Sequence, residues 1–239
     1  MRNKPEEIAK DVLKNIETLS ENPANVKDYA RFYKDKEEFI TLTTPVIRQL
    51  AKDYFQNIKK ADKQYILETC DKLLALRDKN CTHIAFDWAF RIKKHYQKDD
   101  LERFEKWVEK YLDDWSSCDD LSTHALGYQG WKFPENIKRL YEWTSSGNLW
   151  VRRAAAVSLI YSVRRNTNIG AAFKMADNLL TDPEDLVQKG YGWLLKETTK
   201  HQEKAVFDYI MQNKQKMPRT ALRYAIERMP RELKAKAMR

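Results

Sequence analysis

The sequence predicts an all-α chain built as a succession of paired helices, and three observations predict it. Only six glycines occur in 239 residues, and none precedes Gly127. The first half therefore lacks the punctuation of tight β-hairpins or glycine-rich phosphate loops. Apolar residues recur at helical spacing through most of the chain, and the segments that carry them are joined by short connections. A 42% hydrophobic fraction, with twelve Tyr, nine Phe and seven Trp, excludes disorder although 33% of the residues are charged.

The elements follow in order. PEEIAKDVLKNIETL opens on Pro5 and two acids and repeats apolar residues at Ile8, Val12, Ile16 and Leu19, an amphipathic helix over 5–19 with a favourable dipole end. A second helix is expected over 24–36. A third begins at TTPVIRQLAKDYFQNI, with Thr44 as cap directly before Pro45. Segments 61–76 and 81–97 continue, the latter placing Ile84, Trp88, Ile92 and Tyr96 on one stripe. Helices are then expected over 100–113, 115–127 (short), 134–144, 148–165, 170–180, 184–199, 202–213 and 217–228. Such a succession of helices matches a HEAT-like or armadillo-like helical-repeat solenoid better than a four-helix bundle. No strict sequence period is present, and a globular helical array is the alternative. The expectation is one domain over 1–239, with residues 1–5 and 230–239 as frayed ends.

The N-terminus shows no signal-peptide pattern, and no apolar run is long enough to span a bilayer. Cys70, Cys81 and Cys118 are too few and too scattered for a disulfide framework. A monomeric, cytoplasmic protein without a membrane partner is expected. The net charge of +9 is unevenly placed, since residues 151–239 carry 18 basic against 9 acidic groups and residues 101–150 carry 6 against 9. A basic surface in the last third suits a polyanion such as a nucleic-acid backbone.

Three segments carry the candidate chemistry. In DLVQKGYGWLLKETTK, Lys189, Trp193, Lys196 and Lys200 are spaced 4, 3 and 4 and share one helix face, while Val187, Leu194 and Tyr191 or Leu195 supply core packing. Trp193 at the edge of an apolar stripe is the blander reading. Gly190 and Gly192 each cost about 1 kcal/mol of helix stability relative to Ala, which a close approach of a neighbour or a ligand would explain. In NLWVRRAAAVSLIYSVRRN, Arg153 and Arg164 lie eleven residues apart, about 16 Å along a helix and nearly in register. Such a pair can reach phosphates, or it can be a solvated charge run. In EKYLDDWSSCDDLSTHALG, Trp115 and Asp119 are four apart, so a helix capped by Ser116 or Ser117 would set both at one cleft edge. A carboxylate beside a phosphate-facing surface weakens binding and needs a reason; Asp119 and Asp120 near a helix start would be a structural one.

These segments resemble the HEAT-repeat DNA glycosylases of the DNA alkylation repair family. The family's Trp-x-x-x-Asp motif reads here as Trp115 with Asp119, its arginine motif as Arg153 in WVRRAA, and its tryptophan motif as Trp193 in GWLLKE. ARFYKDKEEFITLTTPVIRQLAKD is similar to the family's opening region, with Tyr33 at the aromatic position that approaches DNA. The likeness covers most of 25–228 and is strongest over 111–197. Where many members have a G-[IV]-x-x-P turn, this chain has Thr41-Leu42-Thr43-Thr44-Pro45.

The resemblance implies a concave DNA-binding face, duplex DNA containing alkylated bases as partner, and excision of N3- or N7-alkylated purines. Such a cationic base is already a good leaving group, so the need is an anion near the oxocarbenium-like sugar. Asp119 would supply it and orient water. Trp115 and Trp193 would pack the sugar and phosphate flank as the other catalytic residues, and Arg153 would hold a phosphate. Arg164, Lys189, Lys196, Lys200 and Tyr33 complete the DNA-backbone set. A non-catalytic protein that binds branched or distorted DNA is the runner-up, and a protein–protein scaffold the third class. Cys81-x-His83 lacks partners for a metal site, His124 is expected as polar packing, and no metal or cofactor is implied.

Overall fold

A computed structural model describes residues 3–33 and 38–239. They fall into two compact units, Met1–Tyr96 and Gln97–Arg239.

The first unit is built on four helices: α1 (Pro5–Ser20), α2 (Thr44–Ile58), α3 (Lys63–Ala75) and α4 (Lys79–Arg91). Glu7 Oε2 accepts the Lys4 amide at 2.8 Å and closes the start of α1, whose Ile8, Val12 and Ile16 are buried. Asp62 and Asp78 cap α3 and α4 by accepting the amides of Tyr65 and Cys81. The stripe Ile84, Trp88, Ile92 and Tyr96 is buried along its whole length, and the Trp88 indole donates to the Ala51 carbonyl at 2.9 Å. The helix of α2 begins one residue earlier than expected: Thr43, not Thr44, is its cap, and it makes no side-chain cap bond.

Over the described residues 24–33, the helix expected over 24–36 does not form. Asn22 and Pro23 close a 3-10 turn, and β1 (Val26–Asp28) then pairs antiparallel with β2 (Ile40–Leu42). Asp28 decides this local structure, because one of its carboxylate oxygens accepts the amides of both Ala30 and Phe39, at 2.8 and 3.0 Å. A side chain that ties its own segment to a backbone amide eleven residues away competes with helix ladders. The middle of the segment, residues 34–37, lies outside the described residues.

The second unit contains α5 (Asp100–Tyr111), α6 (Trp115–Leu121), a π-helical turn (Ser122–Leu126), α7 (Gly127–Lys132), α8 (Ile137–Trp143), α9 (Leu149–Ser158), α10 (Ile160–Val163), α11 (Ile169–Asn178), α12 (Asp185–Asn213), α13 (Arg219–Ala225) and α14 (Arg231–Met238). The helix expected over 148–165 is interrupted at Leu159 between α9 and α10, while α12 is broken at Gln202 (φ −137°, ψ 46°), where the sequence divides 184–199 from 202–213. The terminal helix α14 covers residues that the sequence leaves as a frayed end; it starts after Pro230 and buries Ala237.

Side-chain hydrogen bonds that join separate helices recur at similar chain separations. The offset is 34 residues for Arg153 and Asp119, 33 for Arg164 and Glu197, 34 for Asn178 and Thr144, and 31 for Lys196 and Glu227. In the first unit Leu42 to Asn80 spans 38 and Trp88 to Ala51 spans 37.

Candidate functional site

The site is assembled from α6, α9 and the first half of α12. Asp114 precedes α6 and caps it: its carboxylate accepts the Ser117 amide at 2.9 Å and the Ser117 hydroxyl at 2.8 Å. The cap is therefore Asp114 rather than Ser116 or Ser117, and α6 starts at Trp115. Trp115 and Asp119 consequently stand one turn apart on the same short helix, with Trp115 half-buried. Asp119 sits in the last turns of α6, so the dipole-stabilising reading of this carboxylate does not hold; Asp114 fills that place.

Arg153, from the middle of α9, meets Asp119 in a two-point pair, Nε to Oδ1 at 2.9 Å and Nη2 to Oδ2 at 2.8 Å. Its third nitrogen, Nη1, donates to the Leu186 carbonyl at the start of α12. The guanidinium is thus spent on α6 and α12 together. The Arg153 side chain is only 6% exposed, and the Asp119 side chain keeps 18%. Burial pushes the Asp119 carboxyl up from its ordinary value, while the facing guanidinium pulls against that rise. A planar fork on a carboxylate fixes the orientation of both groups. Each carboxylate oxygen has a second lone pair that the fork does not use.

Three glycines lie at helix contacts around the site. A Cβ at Gly190 would stand 3.4 Å from Arg153 Cγ, and one at Gly192 would stand 2.8 Å from both the Ala221 carbonyl oxygen and Tyr224 Cβ. The helix cost of Gly192 thus goes with the close approach of α13, whereas a Cβ at Gly190 would make only ordinary van der Waals contact with α9. At Gly127, directly after the π-helical turn that follows α6, a Cβ would meet the Ser122 carbonyl oxygen at 2.6 Å and Tyr161 Cβ at 2.7 Å.

A second cluster lies farther along α12. Glu197 is 1% exposed, and its Oε2 accepts Arg164 Nε and Lys200 Nζ, both at 3.0 Å. Its Oε1 accepts Arg228 Nη2 at 3.1 Å and the Trp193 indole N–H at 3.2 Å. The Arg164 guanidinium also lies 5.8 Å from the centroid of the Trp193 ring. Burial alone would raise the Glu197 carboxyl, but the hydrogen bonds from Arg164 and Lys200, the Arg164 charge and the Trp193 indole together bring it down to about 2.

The remaining predicted residues are dispersed among their own partners. Lys189 pairs with Asp185 at 2.6 Å on the same helix, and Lys196 pairs with Glu227 at 2.9 Å with its side chain mostly covered. The four-residue face read from spacing is therefore split: Trp193 and Lys200 join the Glu197 cluster, Lys189 and Lys196 do not. Tyr33 belongs to the first unit, where its ring lies 4.3 Å from that of Phe39. His124, in the π-helical turn, contacts the Asp120 carboxylate through Nδ1 at 3.1 Å, and that bond raises its pKa. Sequence reasoning passed over Glu197 and Arg228. The signal for Glu197 was its place four residues after Trp193 and three before Lys200, an acid on a face read only for its cations.

The model of the family described as DNA alkylation repair enzyme matches residues 12–229. The chain belongs to that family. Membership in the DNA alkylation repair enzymes implies a role in repairing alkylated DNA and a DNA substrate. A solved structure described as a predicted DNA alkylation repair enzyme from Enterococcus faecalis is similar over 91% of this chain and 97% of its own, at 18% identity and a TM-score of 0.72. The structure of smu.31 from Streptococcus mutans UA159 is similar over 80% of this chain and 97% of its own, at 20% identity and a TM-score of 0.56. These identities speak for a shared fold. No curated protein matches the chain. Asp119, Arg153 and the Glu197 cluster all fall inside the matched region of this repair family. Among the described residues, no helix is long and apolar enough to cross a membrane.

Proposed function

We propose that the chain is a DNA glycosylase acting on duplex DNA in the cytoplasm as a monomeric helical-repeat solenoid. It hydrolyses the N-glycosidic bond of positively charged N3- or N7-alkylated purines. The observation that carries this reading is the Asp119–Arg153 pair, a carboxylate held at two points by a buried guanidinium yet still reaching the surface.

Loss of a cationic purine leaves charge on the deoxyribose at C1′. An anion fixed in advance at a low-dielectric surface stabilises that charge without reorganising. Asp119 fits the task because Arg153 sets its plane, and its unused lone pairs can accept a water proton while that water attacks C1′. Arg153, with all three nitrogens engaged, positions Asp119 and lends only its outer edge to a phosphate. Trp115, one turn before Asp119, and Trp193 pack the sugar and phosphate flank and displace water. The lesion's own positive charge makes the base leave, so no acid is required to protonate it.

The non-catalytic alternative has one observation in its favour: both Asp119 oxygens already accept from Arg153, as in a purely structural ion pair. The two readings part in a simple assay. Duplex DNA treated with a methylating agent is incubated with the wild-type protein, and the liberated base is separated by chromatography. The glycosylase reading expects free 7-methylguanine or 3-methyladenine above the spontaneous rate. Binding of the duplex without base release would leave the non-catalytic reading in its place.

A further inference from the structure

Four donors fill the Glu197 carboxylate: Arg164, Lys200, Arg228 and the Trp193 indole. A carboxylate has about four acceptor positions, so this one is saturated. It can neither take up a proton near neutral pH nor act on a substrate. One negative charge also cannot neutralise three positive ones. The surplus is carried by side chains that remain open to solvent, Arg164 at 41%, Lys200 at 44% and Arg228 at 40%. Each of these meets Glu197 through a single nitrogen, which leaves guanidinium and ammonium donors free of the carboxylate. The three cations come from separate parts of the chain: Arg164 from the end of α10, Lys200 from α12 and Arg228 from beyond α13.

We propose that Glu197 is a positioning residue that gathers Arg164, Lys200, Arg228 and Trp193 into one phosphodiester-binding surface, with Arg228 as a DNA contact additional to those the sequence indicates. Three long cations on a surface would repel one another and scatter; a buried anion at their centre sets them at fixed spacing. The same anion holds the edge of Trp193, so the indole that packs the nucleotide's flank and the cations that hold its phosphates share one anchor. The net surplus of two positive charges suits successive phosphodiesters of a single strand, each carrying one negative charge. Lys189 and Lys196, each committed to a single carboxylate of its own, have no such surplus.

The inference rests on DNA being the ligand, but not on the chain's being a glycosylase, and its test avoids catalysis. Binding of an undamaged fluorescent duplex is measured by anisotropy across a salt series. The slope of log affinity against log salt counts the phosphates neutralised, at about 0.9 per contact. Arg228→Ala is expected to flatten that slope by about 0.9, as is Lys200→Ala. For Arg228→Ala, an unchanged slope overturns the phosphate role. Glu197→Gln separates positioning from bulk charge, because it makes the protein one unit more positive. A simple charge effect steepens the slope, whereas loss of the anchor flattens it by one contact or more. A steeper or unchanged slope in a folded Glu197→Gln protein overturns the positioning role. Should that variant not fold, Glu197→Asp, which keeps the charge but draws the anchor back by one methylene, is measured instead, and a slope equal to wild type contradicts the proposal. If base release is absent in the wild type while Arg228→Ala flattens the slope, the glycosylase reading fails and this one stands.

Discussion

Asp119 and Glu197, two of the carboxylates in the second unit that meet arginine, are arranged in opposite ways. Asp119 faces one guanidinium in a two-point pair, and that guanidinium is deeper in the protein than the carboxylate it holds. Glu197 is itself the deepest member of its group, and the cations around it look outward. The first arrangement presents an anion to the surface and fixes its orientation. The second hides an anion and presents cations. The difference teaches that an acid among bases has no fixed meaning until burial shows which partner reaches solvent. In the proposed reaction the first would be the reacting carboxylate and the second a backbone platform.

The largest expected effect comes from breaking the first pair. Arg153→Ala leaves Asp119 without its partner and also frees the Leu186 carbonyl, and is expected to cost about 3 kcal/mol of folding stability in urea titrations. Equal stability of the variant would mean that Arg153 does not hold Asp119. Next is a contrast in pH. The Glu197 carboxyl lies at about 2 in the folded protein, below its unfolded value, so its contribution is present above the unfolded value and is lost as pH falls through the folded one. Between pH 5 and pH 2 the wild type should lose roughly 2 kcal/mol more stability than Glu197→Gln, the three half-exposed cations being partly screened. Parallel losses would show that the cluster contributes nothing to acid stability. Asp119 shifts the other way, and its raised pKa places the acid limb of base release above the ordinary aspartate value of about 3.9. A single-turnover pH profile with its limb below that value would contradict the burial argument. The smallest effect belongs to Lys189→Ala: Lys189 is already paired with Asp185, so the salt slope of duplex binding should fall by well under the 0.9 of a full phosphate contact.

Much of the fold was legible because helices announce themselves locally. The buried stripe from Ile84 to Tyr96 was readable from apolar spacing, although its helix ends at Arg91 rather than 97, and a helix boundary near Gln202 was among those expected. The β1–β2 ribbon was not, since each strand is three residues long and its fastening depends on Asp28 reaching Phe39 eleven residues away. The site divides similarly. Trp115 and Asp119 could be set on one helix from their spacing, though the cap was Asp114 rather than a serine. The partnership of Asp119 with Arg153 spans 34 residues and that of Glu197 with Arg228 spans 31, and no local pattern encodes either. Lys189, Trp193, Lys196 and Lys200 show the same limit from the other side: correct spacing on one helix, but separate partners brought by neighbouring helices. Residue identity sets what a side chain can do, and the helices packed against it decide what it does.

The central claim is that Asp119 reacts where Glu197 only holds. Its most direct test is single-turnover release of 7-methylguanine from a saturating alkylated duplex by Asp119→Asn, with duplex affinity measured on the same preparation. The account predicts that release falls by about a hundredfold or more, the size of losing an electrostatic stabiliser of a transition state, while affinity stays within a few-fold of wild type. Release at the wild-type rate, or a loss explained wholly by weaker binding, would contradict it.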